Sequence, residues 1–147
     1  MTVLRSAFVR RVLTHCCEPT GYVWGGKRPG ALDCSGLVTL SLWEASDGRL
    51  DWRQTHNTDA LWKLEPVEGV AALRNGDLCL YWGEHSTGPE DVSHVMVYFD
   101  PGQCVGMAWG GPSDVDAAAS IAAGKRPLVK PVNYRSDLAG FRRLPLD

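Results

Sequence analysis

Two residues of this sequence have the chemistry of a nucleophile and a base. Cys34 follows Asp33, the predicted N-cap of a helix, and the exposed N–H groups and dipole at a helix start stabilise a thiolate. Gly36 leaves room for a substrate backbone, and the N–H of Cys34 can donate to an oxyanion. His94 begins an apolar strand, where packing would hold its ring as a general base. The structural alternatives are a core cysteine and an ordinary strand-edge histidine.

Three other histidines compete for the role of base. His15 falls on the first predicted helix, His56 in a loop and His85 in a polar segment between two strands. At none of these three positions do surrounding apolar residues hold the ring as firmly as at His94, which begins an apolar strand. We therefore expect His94 to be the base.

The elements that must position this pair are two helices and a set of strands. Apolar residues recur at helical spacing over 3–17, with Arg5 outside the apolar stripe, and over 34–45. A short helix is predicted around 59–63, and a capping box at 113–116 opens an alanine-rich helix. Strands are predicted over 77–82, 93–99, 104–109, 128–134 and 141–144. The order indicates an α+β domain in which N-terminal helices pack on a small, mostly antiparallel sheet.

Composition excludes several classes of protein. The 147 residues carry 15 Lys+Arg against 17 Asp+Glu, so no basic surface for nucleic acid is expected. No apolar run approaches the ~20 residues that a membrane span needs, so we expect no stable membrane insertion. Arginines interrupt the opening residues where a signal peptide would be apolar, which predicts synthesis in the cytoplasm without a signal peptide. The length favours one domain over 1–147.

The cysteines predict reduced thiols and no bound metal. There are five, an odd number, and no CxxC pair. His15-Cys16-Cys17 brings three donors together, but their side chains splay around a helix and no second ligand pair follows at finger-like spacing. We therefore expect neither a zinc site nor any other cofactor.

Four segments, in this order, resemble the signature blocks of the NlpC-type cell-wall cysteine peptidases, which have a papain-like fold. The segments are Tyr22-Val23-Trp24-Gly25-Gly26, Asp33-Cys34-Ser35-Gly36-Leu37-Val38, Asn75-Gly76-Asp77-Leu78 and Ser93-His94-Val95-Met96-Val97-Tyr98. The resemblance covers residues 20–144 as the family core, with 1–19 as an additional N-terminal helix. It implies hydrolysis of peptidoglycan stem peptides, commonly between γ-D-glutamate and a diamino acid.

The same resemblance implies roles for individual residues. Cys34 would be the nucleophile and His94 the base. Tyr22, Asp33 and Ser35 match residues that line the substrate groove and recognise a free N-terminal amine. Arg53 can pair with a stem carboxylate, although an exposed, unbound arginine is the usual alternative.

Among the tryptophans, Trp24, Trp82 and Trp109 can line a groove, whereas Trp43 and Trp62 are expected to pack in the core.

One position departs from the family pattern. The family usually orients its histidine with a polar residue on the following strand, and that position falls near Gly106, which has no side chain. A backbone carbonyl, a water, Gln103 or Asp114 can serve instead, although Gln103 is also explained as a turn residue and Asp114 as part of a helix cap. Loss of the orienting residue lowers the rate of such a mechanism without abolishing it.

Three functions are compatible with these residues. The first is a cysteine endopeptidase of peptidoglycan stem peptides. The second is a weak or inactive module of the same fold that binds the wall or builds a virion, and the third is a thiol amidase or acyltransferase acting on another amide. Because the wall lies outside the membrane, we expect delivery through lysis, a phage particle or a secretion machine, with a phage lysin or tail component slightly favoured.

Overall fold

The computed structural model describes residues 2–83, 86–88 and 91–147, so the competing histidine His85 lies outside the described residues. The helices within this part of the chain are α1 (Arg5–Cys17), α2 (Cys34–Ala45), α3 (Thr58–Leu61), α4 (Ala117–Ala122) and a 3-10 turn at Val70–Ala72. The strands are β1 (Gly21–Tyr22), β2 (Lys27–Arg28), β3 (Ala31–Leu32), β4 (Glu65–Val67), β5 (Leu78–Tyr81), β6 (His94–Phe99), β7 (Gln103–Met107), β8 (Pro127–Pro131) and β9 (Leu138–Arg143).

The strands form two sheets in the described part of the chain. Six of them pair in the order β4-β9-β5-β6-β7-β8, and every neighbouring pair in this sheet is antiparallel. The three shortest strands form a small sheet in the order β1-β3-β2, with β1 and β3 parallel. The predicted α+β class, with helices on a mostly antiparallel sheet, is confirmed. The small sheet and β4 were not predicted from the sequence.

Apolar side chains on the two faces of the large sheet belong to different clusters. Val95 and Val97 join the cluster that contains Phe8 of α1 and Leu37 of α2. Met96, from an alternate position of β6, belongs to a second cluster on the other face. This is the alternation predicted for the strand at 93–99, since successive side chains of a strand point to opposite faces.

The nucleophile helix α2 is buried on several sides. We predicted one apolar face, but every residue from Gly36 to Leu42 is buried, because α1 packs against this helix from one direction and strands β2 and β6 from others. A helix that is apolar around most of its circumference is typical of a central core position. The position of Cys34 at its first turn is therefore fixed by the whole core.

The two ends of the described chain pair with each other. Val3 forms an isolated parallel bridge with Leu146, so α1 begins at Arg5 and not at Val3 as predicted. The N–H of Arg5 donates to the carbonyl of Asp147 at 2.8 Å, and the N–H of Asp147 donates to the carbonyl of Val3 at 2.9 Å. These bonds hold the start of α1 beside the end of the chain.

Arg5 lies outside the apolar stripe of α1, as predicted, but it is buried. Its guanidinium lies 3.2 Å from a carboxylate oxygen of Asp77, a residue that is fully buried. Arg143 of β9 contacts the same carboxylate at 2.7 and 2.9 Å. One buried carboxylate therefore joins α1, the start of β5 and the last strand, and its charge is balanced by two arginines.

The predicted capping box at 113–116 is wrong. The N-cap of α4 is Asp116, whose side chain accepts from the N–H of Ala118. Asp114 instead accepts from the N–H of Gly111 and from Lys125, both at 2.8 Å. The carboxylate of Asp114 therefore links the loop after β7, which contains Gly111, to Lys125 after α4.

Candidate active site

Cys34 and His94 line the same pocket. The pocket has a volume of about 450 Å³, and its wall also includes Tyr22, Trp109 and Arg135. A larger groove of about 870 Å³ runs along α1; the described residues that line it include Cys17 but no histidine. The combination of thiol and imidazole that the sequence predicted therefore occurs in the smaller pocket.

Asp33 fixes the cysteine at the start of α2. Its carboxylate accepts from the N–H of Gly36 at 2.6 Å and from the N–H of Gly25 at 3.0 Å, and the Ser35 hydroxyl donates to it at 3.3 Å. This is the predicted N-cap, in which an aspartate satisfies a free N–H of the first turn. The bond to Gly25 also ties the preceding glycine loop to the helix that carries Cys34.

The environment of Cys34 keeps its sulfur protonated in the unliganded protein. Burial is the main cause, and the charge of Asp33 adds to it; together they raise the pKa of Cys34 to about 12. The backbone N–H groups of Val95 and Ser35 act in the opposite direction, as does its own N–H. Cys34 and Val95, the residue after His94, belong to the same buried cluster.

His94 is buried and held by a tyrosine. Its Nε2 lies 2.8 Å from the hydroxyl of Tyr134, and its ring lies 5.3 Å from that of Tyr81. Burial, with a further contribution from the positive charge of Arg135, lowers the pKa of His94 to about 3, whereas Asp137 acts to raise it. The imidazole is therefore neutral, which is the form that can accept a proton.

The described histidines other than His94 belong to different surroundings. His15 is buried against α2, with Nε2 bonded to Glu44. His56 stacks on Trp52 with 4.0 Å between the ring centroids, and its Nδ1 bonds to Thr55. Neither lines the pocket of Cys34.

Comparison with known proteins identifies the family of the chain. A model of the NlpC/P60 family matches residues 19–119. The chain belongs to the NlpC/P60 family. The resemblance seen in the sequence is thereby confirmed, and this is a family of cysteine peptidases.

Relatives of this NlpC/P60 chain include a protein of Mycobacterium tuberculosis named as a probable endopeptidase. The two are 31% identical over 101 residues, which is 69% of this chain and 23% of the relative. A protein of Mycobacterium bovis with the same description matches equally well. The chain therefore spans about a quarter of the length of these relatives.

Solved structures share the fold. The NlpC/p60 domain of the peptidoglycan hydrolase SagA is 23% identical, with a TM-score of 0.68 over 97% of this chain and 100% of that chain. The P60 domain of an antigen from M. avium subspecies paratuberculosis is 20% identical, with a TM-score of 0.64 over 97% and 98% of the two chains. The predicted papain-like fold is confirmed at this level.

The predicted substrate-binding residues divide between two pockets. Tyr22 is buried at the wall of the cysteine pocket, where its ring packs so closely on Gly110 that a Cβ there would lie 2.2 Å from the ring. Asp33, Ser35 and Arg53 line a separate polar pocket of about 200 Å³ at the start of α2. Cys34 lines the first pocket, and its neighbours in the chain, Asp33 and Ser35, line the second.

Arg53 is held by its own neighbours. Its guanidinium forms two bonds to Asp51, at 2.8 and 2.9 Å, and lies 3.9 Å from the ring centroid of Trp43. The alternative of an unbound arginine is therefore wrong. This pairing orients the guanidinium at the edge of the polar pocket, although an exposed pair of this kind adds little stability.

The position expected for the orienting residue, Gly106, lies close to the side chain of Met96. A Cβ on Gly106 would lie 2.9 Å from the sulfur of Met96, so even a methyl group would displace that side chain. Of the two side chains offered as alternatives, Gln103 is exposed where β7 begins and Asp114 is bonded to Lys125. The side chain bonded to the His94 ring is that of Tyr134. The sequence shows only a tyrosine at the end of a predicted strand, 40 residues further on, and no local signal marks it.

Two of the three tryptophans predicted to line a groove do so. Trp24 and Trp109 line the cysteine pocket and are 57% and 50% exposed. Trp82 instead packs edge-on against Trp62, with 5.4 Å between centroids, and joins the core. The pocket therefore has two exposed indole rings in its lining. The loops that carry them are linked by a hydrogen bond of 2.8 Å, which the N–H of Trp24 donates to the carbonyl of Asp114.

Neither a metal site nor a membrane span is found in the described residues. No three of their His, Cys, Asp and Glu side chains come together as ligands for an ion. No helix in the same ranges is both long and apolar enough to cross a bilayer. The five cysteines carry free thiols.

Proposed function

We propose that this NlpC/P60 domain is a peptidoglycan endopeptidase, with Cys34 as nucleophile and His94 as general base. The observation that carries the proposal is the single pocket shared by a thiol at a helix start and a buried, neutral imidazole. Membership of a cysteine peptidase family supports it, as do relatives described as probable endopeptidases and a peptidoglycan hydrolase of the same fold.

The bond changes and proton transfers of the reaction take place among these two side chains, the substrate and water. His94 removes the thiol proton as the sulfur of Cys34 attacks the scissile carbonyl carbon. The resulting imidazolium gives that proton to the departing amine as the C–N bond breaks, which leaves a thioester. Water, deprotonated by the same imidazole, attacks the thioester; the sulfur leaves and regains a proton, and the carboxylic acid product is released.

The start of α2 supplies the stabilisation of negative charge. Asp33 accepts from the N–H of Gly36, so the first-turn N–H groups of Cys34 and Ser35 are left near the sulfur. These groups lower the pKa of the thiol and can donate to the oxyanion of a tetrahedral intermediate. A neutral thiol–imidazole pair at rest means that proton transfer accompanies the attack.

We further propose a bond between γ-D-glutamate and a diamino acid as the target. The polar pocket with Asp33, Ser35 and Arg53 supports this, because it borders the cysteine and offers a carboxylate and a guanidinium to a charged peptide. Tyr22 lines the neighbouring pocket that holds Cys34 and His94. Defined muropeptides that differ only at the diamino acid test the proposal by mass spectrometry of the fragments; cleavage elsewhere would contradict it.

The decisive experiment compares two cysteine variants on purified peptidoglycan. Cys34→Ala should abolish release of stem-peptide fragments, while Cys17→Ser, which changes an exposed thiol outside the pocket, should keep it. Both variants should have unchanged circular dichroism spectra. Full activity of Cys34→Ala would refute the mechanism.

A non-catalytic wall-binding module is the second candidate. Two observations favour it: burial raises the pKa of the Cys34 thiol to about 12, and Gly106 offers no orienting side chain. It predicts sedimentation with insoluble wall material and no fragment release by the unmodified protein. Turnover of small γ-glutamyl or lipid amides without release from the wall would indicate the third candidate, a thiol amidase or acyltransferase.

The route to the wall, through a phage particle, lysis or a secretion machine, stays a prediction from the sequence. Expression in the cytoplasm with and without a holin-type membrane pore tests the lysis route. Loss of culture turbidity only when the pore is present would support it.

A further inference from the structure

The strand beside β6 has no polar side chain opposite His94. Strands β6 and β7 pair with Val97 opposite Val105, and continuing that register by three residues places Ala108 opposite His94. A methyl group neither donates nor accepts a hydrogen bond. A side chain that bonds to the imidazole therefore comes from another part of the fold.

Tyr134 reaches the ring from the turn that follows β8. Its hydroxyl lies 2.8 Å from Nε2 of His94, and the two rings meet edge to face at 73°. The hydroxyl also lies 3.5 Å from the carbonyl oxygen of Ala108, the residue opposite His94. One tyrosine hydroxyl thus bridges the histidine and the adjoining strand.

The direction of these bonds determines which nitrogen of His94 carries the proton. A backbone carbonyl can only accept, so a Tyr134 O–H that donates to Ala108 leaves the phenol oxygen to accept from Nε2–H of His94. A neutral imidazole with a proton on Nε2 has an unprotonated Nδ1. Because Nε2 is engaged, Nδ1 is the nitrogen left to take the proton of Cys34.

The segment that carries Tyr134 is itself anchored to the end of β5. Asp137 holds the guanidinium of Arg135 with two bonds, at 2.6 and 2.9 Å. Its carboxylate also accepts from the N–H of Gly83, and its carbonyl accepts from the N–H of Trp82. The bonds from Gly83 and Trp82 therefore attach the segment to the chain after β5, three residues from Tyr134, and the two bonds to Arg135 brace it internally.

We propose that Tyr134 is the positioning residue of this site, which holds His94 as the Nε2–H tautomer with Nδ1 directed to the thiol of Cys34. The role in turnover rests on the proposed function, whereas the tautomer is a property of the unliganded protein. Tyr134 does for this chain what a polar residue on the adjoining strand does elsewhere in the family, from a different element of the fold.

The tautomer is measured by two-dimensional NMR of protein with ¹⁵N-labelled histidine, with the His94→Gln variant to assign the signals. The expected result is a proton on Nε2 and an unprotonated Nδ1 in the unmodified protein at pH 7. Tyr134→Phe should populate both tautomers, because the ring loses its partner. A proton on Nδ1 in the unmodified protein, or an unchanged tautomer in Tyr134→Phe, would overturn the proposal.

Kinetics provide the second arm. Tyr134→Phe should lower kcat on a muropeptide by about 5- to 30-fold, the effect of one lost hydrogen bond, while KM changes less than about twofold. The matched control is Tyr98→Phe, which removes a hydroxyl bonded to Asp100 on the same sheet but outside the pocket and should leave both constants unchanged. Equal kcat for Tyr134→Phe and the unmodified protein would contradict the proposal.

Failure of the proposed function has a different signature. If the unmodified protein cleaves no muropeptide, the endopeptidase assignment fails, but the NMR measurement still decides whether Tyr134 orients His94. If the protein is active and the tautomer is Nδ1–H, the positioning role fails and the endopeptidase assignment stands.

Discussion

The buried histidine should make the protein less stable in acid by an amount that one substitution reveals. His94 is 6% exposed, and burial with the nearby charge of Arg135 lowers its pKa from 6.5 to about 3. In the unfolded chain the same imidazole takes up a proton near pH 6.5. Between these two values the unfolded state binds one more proton than the native state, so stability falls as the pH falls.

The size of the effect follows from the two pKa values. Linkage gives a loss of about 2.5 kcal/mol between pH 7 and pH 4.5, of which about half has occurred by pH 5.5. In His94→Gln the side chain stays neutral in both states, so this contribution vanishes. The unmodified protein should therefore lose about 2.5 kcal/mol more than the variant over the same interval.

Urea unfolding followed by tryptophan fluorescence at pH 7, 5.5 and 4.5 measures this difference. Comparing each protein with itself across pH cancels any change in stability that His94→Gln causes at pH 7. His56→Gln is the matched control; the pKa of His56 is also lowered by burial, but that ring is only half-buried on Trp52, so a smaller difference is expected. The same acid loss in His94→Gln and the unmodified protein would refute the inference that the imidazole is buried and neutral.

Three further predictions concern the nucleophile, the core and the pocket mouth. Asp33→Ala should lower the pKa of Cys34, because a negative charge beside the thiol is removed; the pH dependence of alkylation by iodoacetamide measures this shift. The same substitution removes the N-cap of α2 and should cost about 1 kcal/mol of stability, which urea unfolding measures. Asp77→Asn should cost about 3–5 kcal/mol in urea unfolding, since it leaves two arginines without their buried carboxylate. Trp24→Ala and Trp109→Ala should each raise KM for muropeptides more than they lower kcat, because both rings line the mouth of the pocket; a fall in kcat alone would contradict this.

The helix of the nucleophile and the strand of the base were predictable because their signals are local. An aspartate just before an apolar helical pattern predicts a helix start, because its carboxylate can accept from a free N–H of the first turn. Asp33 accepts from the N–H of Gly36 in this way. Alternation over 93–99 is likewise a property of a few adjacent residues, and β6 spans His94–Phe99. The sequence therefore indicated each residue separately, and the fold places both at one pocket.

The orienting residue was not predictable because its position depends on distant pairing. Whether Gly106 or Ala108 stands opposite His94 is decided by the length of the turn between β6 and β7, and a change of two residues in that turn shifts the partner by two. Tyr134 then depends on the path of the chain after β8. Neither quantity is visible in the residues around His94.

The buried arginine was missed for a similar reason. A charged side chain in an amphipathic pattern predicts solvent exposure, and Arg5 does fall outside the apolar stripe. Its carboxylate partner, Asp77, is 72 positions away in the chain, and only the packing of the start of α1 against the turn before β5 brings them together. Patterns of hydrophobicity do not indicate which charges will be neutralised inside the fold.

The paired ends of the chain make this domain a candidate for circular permutation. Since Val3 bridges Leu146 and the backbone of Asp147 bonds both ways, a short glycine linker can join the two ends without spanning the fold. New ends can be opened at Gly69, which lies in an exposed segment between β4 and β5 and has no neighbouring atoms where a Cβ would stand. In the permuted protein α1 would be an internal helix that follows β9, and the pocket of Cys34 would keep every wall described above.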